Sequence, residues 1–218
     1  MTRTRIKICG LTRAIDVTAA VDAGADAVGF VCYAASPRFV DAARLRELGG
    51  LVPAYVTPVL LFVNAPPAEI ESALIAVPNA LLQFHGDESE ADCSRYGRAY
   101  VRAIRMSDDA DLTEAARCFS SAVALQADTA GEGFGGTGKT FDWDRIPSPK
   151  RRSKPLILSG GLTPVNVGRA IVRNLPFAVD VSSGVEASRG IKSRDKLSRF
   201  VAAVRAADKQ LAEIWVPA

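Results

Sequence analysis

Two side chains in the sequence have the chemistry of a proton donor and a proton acceptor, the carboxyl group of Asp128 and the thiol of Cys9. Lys7 lies two residues before Cys9, so an extended strand points both side chains the same way. A free thiol is only about 3% ionised at pH 7, and a neighbouring ammonium group raises that fraction. Asp128 precedes a glycine-rich stretch, and a carboxyl group shielded there stays protonated and can act as a general acid. The alternatives are a small buried cysteine and an aspartate that anchors a loop.

Two further polar side chains follow apolar runs of the sequence. His85 is the only histidine of the chain, and a lone histidine is more often a hydrogen-bonded structural group than a catalyst. Its position directly after an apolar run favours a functional role. Arg38 follows Ser36-Pro37, and its guanidinium group suits bidentate binding of a carboxylate. The alternative for Arg38 is an ordinary surface arginine.

Two loops rich in glycine and serine follow the last two apolar runs. Exposed backbone amides in such loops, next to the N-terminus of a helix, form the usual phosphate site of a barrel enzyme. The sequence therefore predicts a substrate with a terminal phosphate group. The loop residues are Gly160 and Gly161 in the first loop and Ser182, Ser183 and Gly184 in the second, which follows the strand that ends with the further candidate Asp180 and Val181.

The segment Gly133–Thr140 matches the G-x-x-x-x-G-K-[ST] pattern of a nucleoside triphosphate site. Such a loop has to lead into a helix, whose N-terminal amides hold the phosphates. Here Pro147 and Pro149 follow so closely that at most one helical turn fits. We therefore interpret the stretch as a loop that closes over a substrate and excludes water, with Lys139 as a loop residue of unknown role.

Eight apolar runs of strand length alternate with helical segments. Most runs are continuously apolar, which is typical of parallel strands buried on both faces. A mean repeat of about 27 residues predicts a single (β/α)8 TIM barrel over residues 1–218, with a doubly wound open sheet as the alternative. In a barrel the functional side chains follow the strand ends, as the candidates above do. The predicted strands are Arg5–Cys9, Ala27–Cys32, Val56–Val63, Ala80–Phe84, Tyr100–Ile104, Ala122–Ala127, Leu156–Leu158 and Phe177–Val181.

The intervening segments carry helix signals. Thr12 is predicted to cap a helix that ends before Gly24. Thr163 is predicted to cap another, with Pro164 at its first position. The segment Asp195–Ala207 has apolar residues at helical spacing.

Composition limits the classes of protein that the chain can represent. The net charge of +3 suits a small anionic substrate and does not demand nucleic acid. No uncharged apolar stretch of about 18 residues predicts a membrane span, and no signal peptide is evident, so we expect a cytoplasmic protein. The four cysteines lack the spacing of a zinc site and are expected to be free thiols; they are Cys9, Cys32, Cys93 and Cys118.

Taken in order, these motifs closely resemble those of the phosphoribosylanthranilate isomerase family of tryptophan biosynthesis, over nearly the whole chain. Two departures are visible: Ser193 stands where the family usually has aspartate, and Phe84 where leucine is commoner. Neither lies at a catalytic position. The matching segments are Lys7–Thr12, Gly29-Phe30, Ser36–Arg38, Phe62–Asn64, Gln83–Gly86, Asp128, Gly135–Trp143, Leu158–Leu162 and Asp180–Glu186.

The resemblance implies an Amadori rearrangement of N-(5-phosphoribosyl)anthranilate to 1-(2-carboxyphenylamino)-1-deoxyribulose 5-phosphate, without a cofactor or a metal. It implies that Asp128 protonates the furanose ring oxygen and that Cys9 removes the C2 proton. Arg38 would hold the anthranilate carboxylate, and we expect a monomer whose partner is only this small phosphorylated substrate. The remaining implied roles are phosphate binding by Gly160, Gly161, Ser182, Ser183 and Gly184, and support by His85 and Asp180.

Other functions remain open at this point. A related phosphate-binding barrel enzyme of tryptophan or histidine synthesis would share the fold and the phosphate loops. Use of the larger histidine-pathway substrate would be expected to require a second phosphate site, and the sequence shows only one convincing site. A nucleoside triphosphatase would need a helix directly after Lys139. A non-catalytic binding barrel would leave the Cys9 and Asp128 pair without a purpose.

Overall fold

Eight parallel strands form a closed barrel in which each strand pairs with the next in sequence and the first pairs with the last. The structure is a computed structural model that describes residues 3–130 and 140–214. The predicted barrel is confirmed, and no predicted strand end differs from the observed end by more than two residues. The strands are β1 Arg5–Cys9, β2 Ala27–Val31, β3 Thr57–Phe62, β4 Leu81–Phe84, β5 Tyr100–Arg105, β6 Ala124–Asp128, β7 Leu156–Leu158 and β8 Ala178–Val181.

Helices cover the outside of the barrel, and a short antiparallel hairpin follows β8. Within the described residues no helix is both long enough and apolar enough to cross a membrane. The hairpin consists of β9 Glu186–Ser188 and β10 Ile191–Lys192. The helices are α1 Ala14–Ala23, α2 Ala42–Gly49, α3 Pro67–Ala76, α4 Glu90–Ser94, α5 Leu112–Cys118, α6 Val167–Asn174 and α7 Arg194–Ile214, with 3-10 turns at Trp143–Arg145, Pro149–Arg151 and Ser183–Val185.

The strands are buried on both faces, which explains their continuously apolar sequences. On β1, Ile6 and Ile8 belong to the core between the barrel and the helices, whereas Lys7 and Cys9 alternate with them and face the barrel interior. One interior layer is apolar and is formed by Val101, Ala124, Ile157 and Ala178. The next layer is polar, because Gln126, Ser159 and Asp180 lie two residues further along three of the same strand paths.

Both predicted threonine caps are wrong. The α1 helix begins at Ala14, and the Thr12 hydroxyl donates instead to the carbonyl oxygen of Gly190 at 2.7 Å. Gly24 ends this helix in the left-handed conformation, as predicted. The α6 helix begins at Val167, because the residues from Thr163 onward form a separate turn.

Asn166 holds that turn. Its Oδ1 accepts a hydrogen bond from the Thr163 amide at 2.8 Å, and its Nδ2 donates to the Gly161 carbonyl oxygen at 2.9 Å. The amide side chain therefore fastens the loop after β7 to the start of α6.

In the described part of the connection between β6 and β7, residues 140–155, no α-helix follows the triphosphate pattern. Most of Gly133–Thr140, including Lys139, lies outside the described residues. The chain from Thr140 to Asp142 is not helical, and the turn at Trp143–Arg145 is the only helical turn between Thr140 and Pro147; a second 3-10 turn lies at Pro149–Arg151. The prediction that at most one helical turn fits after the pattern is therefore confirmed.

The first strand is attached to the last helix. The backbone amide of Thr4 donates to both carboxylate oxygens of Asp208, at 3.0 and 3.1 Å. Arg205 Nη1 returns a hydrogen bond to the Thr4 carbonyl oxygen at 2.8 Å. Residues near the two ends of the chain thus meet at one place beside the barrel.

Candidate active site

A cavity of about 360 Å³ opens where the strands end. Its walls come from residues at or just after the ends of seven of the eight strands, all except β5, which is where a barrel places its functional residues. Gly184 alone among the predicted site residues is not part of the wall. The predicted residues that line the cavity are Cys9, Arg38, His85, Asp128, Gly160, Gly161, Asp180, Ser182 and Ser183.

A buried ion pair lies beside the Cys9 thiol. Lys7 Nζ donates to Asp180 Oδ2 at 2.8 Å, and both side chains are almost fully buried. Burial is the largest effect on Cys9 and raises the pKa of its thiol, while the Lys7 ammonium acts in the opposite direction. The net pKa of Cys9 lies above its ordinary value, so the effect of Lys7 expected from the sequence is present but outweighed. Cys9 is therefore a neutral thiol at rest.

The Asp128 carboxyl group lies across the cavity in a desolvated position. Burial raises the pKa of Asp128 to about 6, against the opposing hydrogen bond from the Thr129 amide. That amide donates to Oδ1 at 2.8 Å, and His85 Nδ1 lies 3.9 Å from Oδ2. Desolvation thus shifts Asp128 in the direction predicted from the sequence, to a pKa that suits proton transfer near neutral pH.

His85 is neutral in this environment. Burial lowers the pKa of its imidazole to about 3, and the positive charges of Lys7, Arg102 and Arg105 act in the same direction. Its Nε2 contacts the side-chain amide of Gln83 inside the barrel. The ring therefore takes part in the site as a neutral hydrogen-bonding group.

Arg38 is held at the mouth of the cavity by Glu186. Its Nε and Nη2 donate to the two carboxylate oxygens of Glu186 at 2.7 and 2.8 Å. Lys192 Nζ donates to the same carboxylate at 2.9 Å and to the Ser182 carbonyl oxygen at 3.1 Å. One side of the guanidinium fork is therefore occupied, and Nη1 is the Arg38 nitrogen without a partner among the described residues.

The glycines of the two phosphate loops are required by close approach of neighbouring chain. Gly160 has φ of 82°, and a Cβ atom there would lie 2.6 Å from the Thr129 amide nitrogen. A Cβ atom at Gly184 would overlap the carbonyl oxygen of Leu162. Four backbone N–H groups of these loops donate no hydrogen bond to any described residue; they belong to Gly160, Gly161, Ser183 and Gly184.

Several residues of the site were not predicted from the sequence. Glu186 and Lys192 come from the hairpin after β8, and Gln83 and Gln126 are amides at inward-facing positions of β4 and β6. A buried polar residue inside an otherwise apolar strand is a signal that could have identified the two glutamines. No comparable local signal marks Glu186, whose partner Arg38 is far away in sequence.

Comparison with known proteins is consistent across the chain. The sequence model of the N-(5'-phosphoribosyl)anthranilate (PRA) isomerase family matches residues 6–203. The N-(5'-phosphoribosyl)anthranilate isomerase of Methylibium petroleiphilum is 55% identical over 96% of this chain and 98% of its own length.

Solved structures give the same result. The crystal structure of phosphoribosyl anthranilate isomerase from Thermotoga maritima superposes with a TM-score of 0.85 at 37% identity, over 93% of this chain and 99% of that one. A structure of such an isomerase in complex with reduced 1-(o-carboxyphenylamino)-1-deoxyribulose 5-phosphate has a TM-score of 0.78 and 34% identity, over 93% and 99%.

We predict that the desolvated Asp128 carboxylate destabilises the fold at neutral pH. The folded pKa of about 6 lies above the unfolded value, so the contribution to stability is complete below pH ~4 and is lost as the pH rises through 6. The unfolding free energy of Asp128→Asn minus that of wild type should therefore increase by about 3 kcal/mol from pH 4 to pH 8.

Urea denaturation at a series of pH values measures this difference. Asp22→Asn, which removes an exposed carboxylate from α1, is the matched control and should show a much smaller pH dependence. If the difference in unfolding free energy between Asp128→Asn and wild type stays constant from pH 4 to pH 8, the Asp128 carboxyl group is not desolvated.

Proposed function

Because the chain belongs to the N-(5'-phosphoribosyl)anthranilate isomerase family, we propose that its cavity performs that family's reaction with Asp128 as general acid and Cys9 as general base. The chain is an isomerase of tryptophan biosynthesis that carries out the Amadori rearrangement of N-(5-phosphoribosyl)anthranilate. The observation that supports the residue roles is that both groups line one cavity together with the two glycine-serine loops.

The first step is opening of the ribose ring. Asp128 gives its proton to the ring oxygen, the bond from C1 to that oxygen breaks, and C1 becomes part of an iminium ion. A carboxyl group with a pKa of about 6 is well matched to this transfer, since catalytic acids work best near the operating pH. The Thr129 amide, which already donates to Asp128, stabilises the carboxylate that forms.

The second step is removal of the C2 proton. The iminium ion is an electron sink, so a weak base such as the Cys9 thiolate suffices, and the resulting enolamine tautomerises to the ketone. Near neutral pH Cys9 and Asp128 hold one proton between them. This proton rests on Cys9, because the pKa of its thiol is raised above the ordinary value whereas that of Asp128 is about 6. The reactive form has this proton on Asp128, and the Lys7 ammonium stabilises the thiolate.

The remaining residues bind the two anionic ends of the substrate. The unpaired amides at Gly160, Gly161 and Ser183 support binding of the terminal phosphate by backbone donors. Arg38, oriented by Glu186, offers Nη1 to the anthranilate carboxylate.

Some finer predictions remain predictions. They are a single domain over residues 1–218, a cytoplasmic monomer, and a reaction that needs no cofactor or nucleic acid. The monomer is supported by the exposed large apolar side chains, which belong to different elements around the barrel, such as Ile15 on α1 and Ile75 on α3.

Loss of either proton-transfer group should lower turnover. We expect Cys9→Ala and Asp128→Asn each to reduce kcat by about 10²–10⁴ or more, measured by the fluorescence of phosphoribosylanthranilate as it is consumed. Cys118→Ala, which removes an exposed thiol, should keep wild-type kcat. Near-normal turnover in either variant rejects the role given to that residue.

The phosphate loops should be sensitive to added side chains, whereas the lysine of the triphosphate pattern should not matter. Gly160→Ala and Gly184→Ala push the loops against Thr129 and Leu162. We expect each to weaken product binding about tenfold or more, since one charge-assisted hydrogen bond is worth about 1.5–3 kcal/mol. Titration calorimetry with the ketose product measures this affinity. Unchanged affinity in these variants, or a similar loss in Lys139→Ala, contradicts the assignment.

The position of the Cys9 thiol depends on the missing side chain at Gly29. A Cβ atom at Gly29 would lie 2.9 Å from Cys9 Sγ and 3.1 Å from Lys7 Cε. We expect Gly29→Ala to displace the thiol and to lower kcat by roughly 10–100-fold without unfolding the protein. Gly168→Ala in α6, where a Cβ atom meets only ordinary contacts, is the control. If Gly29→Ala folds and keeps the wild-type kcat, catalysis does not require this position of the Cys9 thiol.

A further inference from the structure

A chain of side-chain hydrogen bonds crosses the barrel interior and ends on the histidine. Ser159 Oγ lies 2.9 Å from the Ala127 carbonyl oxygen and 3.0 Å from Gln126 Nε2. Gln83 Nε2 lies 3.1 Å from Gln126 Oε1 and also contacts His85 Nε2. Every side chain of this chain is buried.

The direction of the hydrogen bonds is set at the Ser159 end. A hydroxyl group carries one proton, and the other two groups beside Ser159 are acceptors, the Ala127 carbonyl oxygen and the Asp128 carboxylate. The proton goes to one of these, so Oγ accepts a hydrogen bond from Gln126. The Gln126 amide therefore points its nitrogen to Ser159 and its oxygen into the barrel.

The same reasoning fixes the donors and acceptors between Gln126 and the imidazole ring. Gln126 Oε1 can only accept, so the group that faces it on Gln83 is the donor Nε2. The second proton of that nitrogen points to His85 Nε2, which must then be an acceptor. A neutral imidazole that accepts at Nε2 carries its proton on Nδ1.

We propose that Gln83 is a positioning residue that holds His85 in the neutral tautomer with the proton on Nδ1, so that the ring presents an N–H group to Asp128. Gln83 does not line the cavity, whereas His85 does. The inference rests on the proposed role of Asp128 as the general acid.

With this tautomer the histidine can stabilise the Asp128 carboxylate that forms in the reaction. Nδ1 lies 3.9 Å from Asp128 Oδ2, which is too long for a hydrogen bond in the structure without substrate. Catalytic hydrogen bonds of this kind tighten when substrate binds. When Asp128 has given up its proton, the Nδ1–H group becomes a second donor to the carboxylate, beside the Thr129 amide. The opposite tautomer would aim a lone pair at that carboxylate and would oppose proton release.

The charges around His85 favour the neutral ring that the tautomer requires. Lys7, Arg102 and Arg105 are positive, and Asp128 is the acidic group nearest to Nδ1. Lys7 and Arg102 are themselves paired with Asp180 and Glu88 in buried ion pairs.

Nitrogen-15 NMR of the free protein tests the proposal directly, because His85 is the only histidine and its two ring signals need no assignment by mutagenesis. We expect a neutral ring at pH 7 with the proton on Nδ1. A ring with its proton on Nε2, or an imidazolium, overturns the proposal. This readout does not involve activity, so it is independent of the roles given to Cys9 and Asp128.

Gln83→Glu tests whether Gln83 sets the tautomer. Burial raises the pKa of the introduced carboxyl group, so the variant is recorded at a pH where that group is ionised; the carboxylate can then only accept, the ring should change to a proton on Nε2 or become an imidazolium, and kcat should fall about tenfold or more with KM within about threefold. Gln210→Glu makes the same chemical change on the exposed side of α7 and should alter neither the ring signals nor kcat. Should Gln83→Glu fail to fold, Gln83→Met removes the donor with little change in volume and should give a mixture of tautomers.

The outcomes separate this proposal from the proposed function. If Gln83→Glu or Gln83→Met keeps the Nδ1 proton, Gln83 does not set the tautomer and the proposal fails, while the acid role of Asp128 is unaffected. If Asp128→Asn retains turnover, the acid role fails, and the ring tautomer still reports on Gln83.

Discussion

The ion pair between Lys7 and Asp180 is the interaction on which the site depends. The two residues face each other in register on β1 and β8, the strands whose pairing closes the barrel. They make a 2.8 Å contact in a nearly water-free interior, where loss of one partner would leave an uncompensated charge at a cost of about 3–5 kcal/mol. One pair therefore lies at the strand junction that closes the barrel and also sets the charges beside Cys9.

The same desolvated interior explains how a thiol and a carboxyl group can share one reaction. Removal from water disfavours the anion of each, so burial raises the pKa of both Cys9 and Asp128. The two groups keep the order of their ordinary pKa values, and fixed neighbours adjust each one, because the Lys7 ammonium lowers the pKa of Cys9 and the Thr129 amide lowers that of Asp128. The protein thus sets two proton affinities by burying both groups at one cavity and by placing a few fixed donors and charges beside them.

Local patterns in the sequence predicted most of the fold and nine of the residues that line the cavity. The strands were found because burial on both faces leaves an uninterrupted apolar signal, and the candidate side chains meet in one cavity because a barrel places residues at strand ends together. The sequence could not show contacts between residues that are far apart in the chain but close in space. Arg38 and Glu186 are 148 positions apart, and neither their pairing nor the capture of Thr12 by Gly190 has a local signature. The net pKa of Cys9 was likewise hidden, because it depends on how completely burial outweighs Lys7.

The meeting of the first strand with the last helix has a consequence for how the chain folds as it is synthesised. The amide and carbonyl groups of Thr4 bind Asp208 and Arg205, about 200 positions later, and β1 is closed by β8. β1 can pair with β2 soon after synthesis, but it leaves the ribosome long before β8 and α7 exist, so its other edge is unpaired. Contacts of such long sequence separation form late, since the entropy of closing the loop has to be overcome first. β1 therefore reaches its final place only after β8 and α7 have been made.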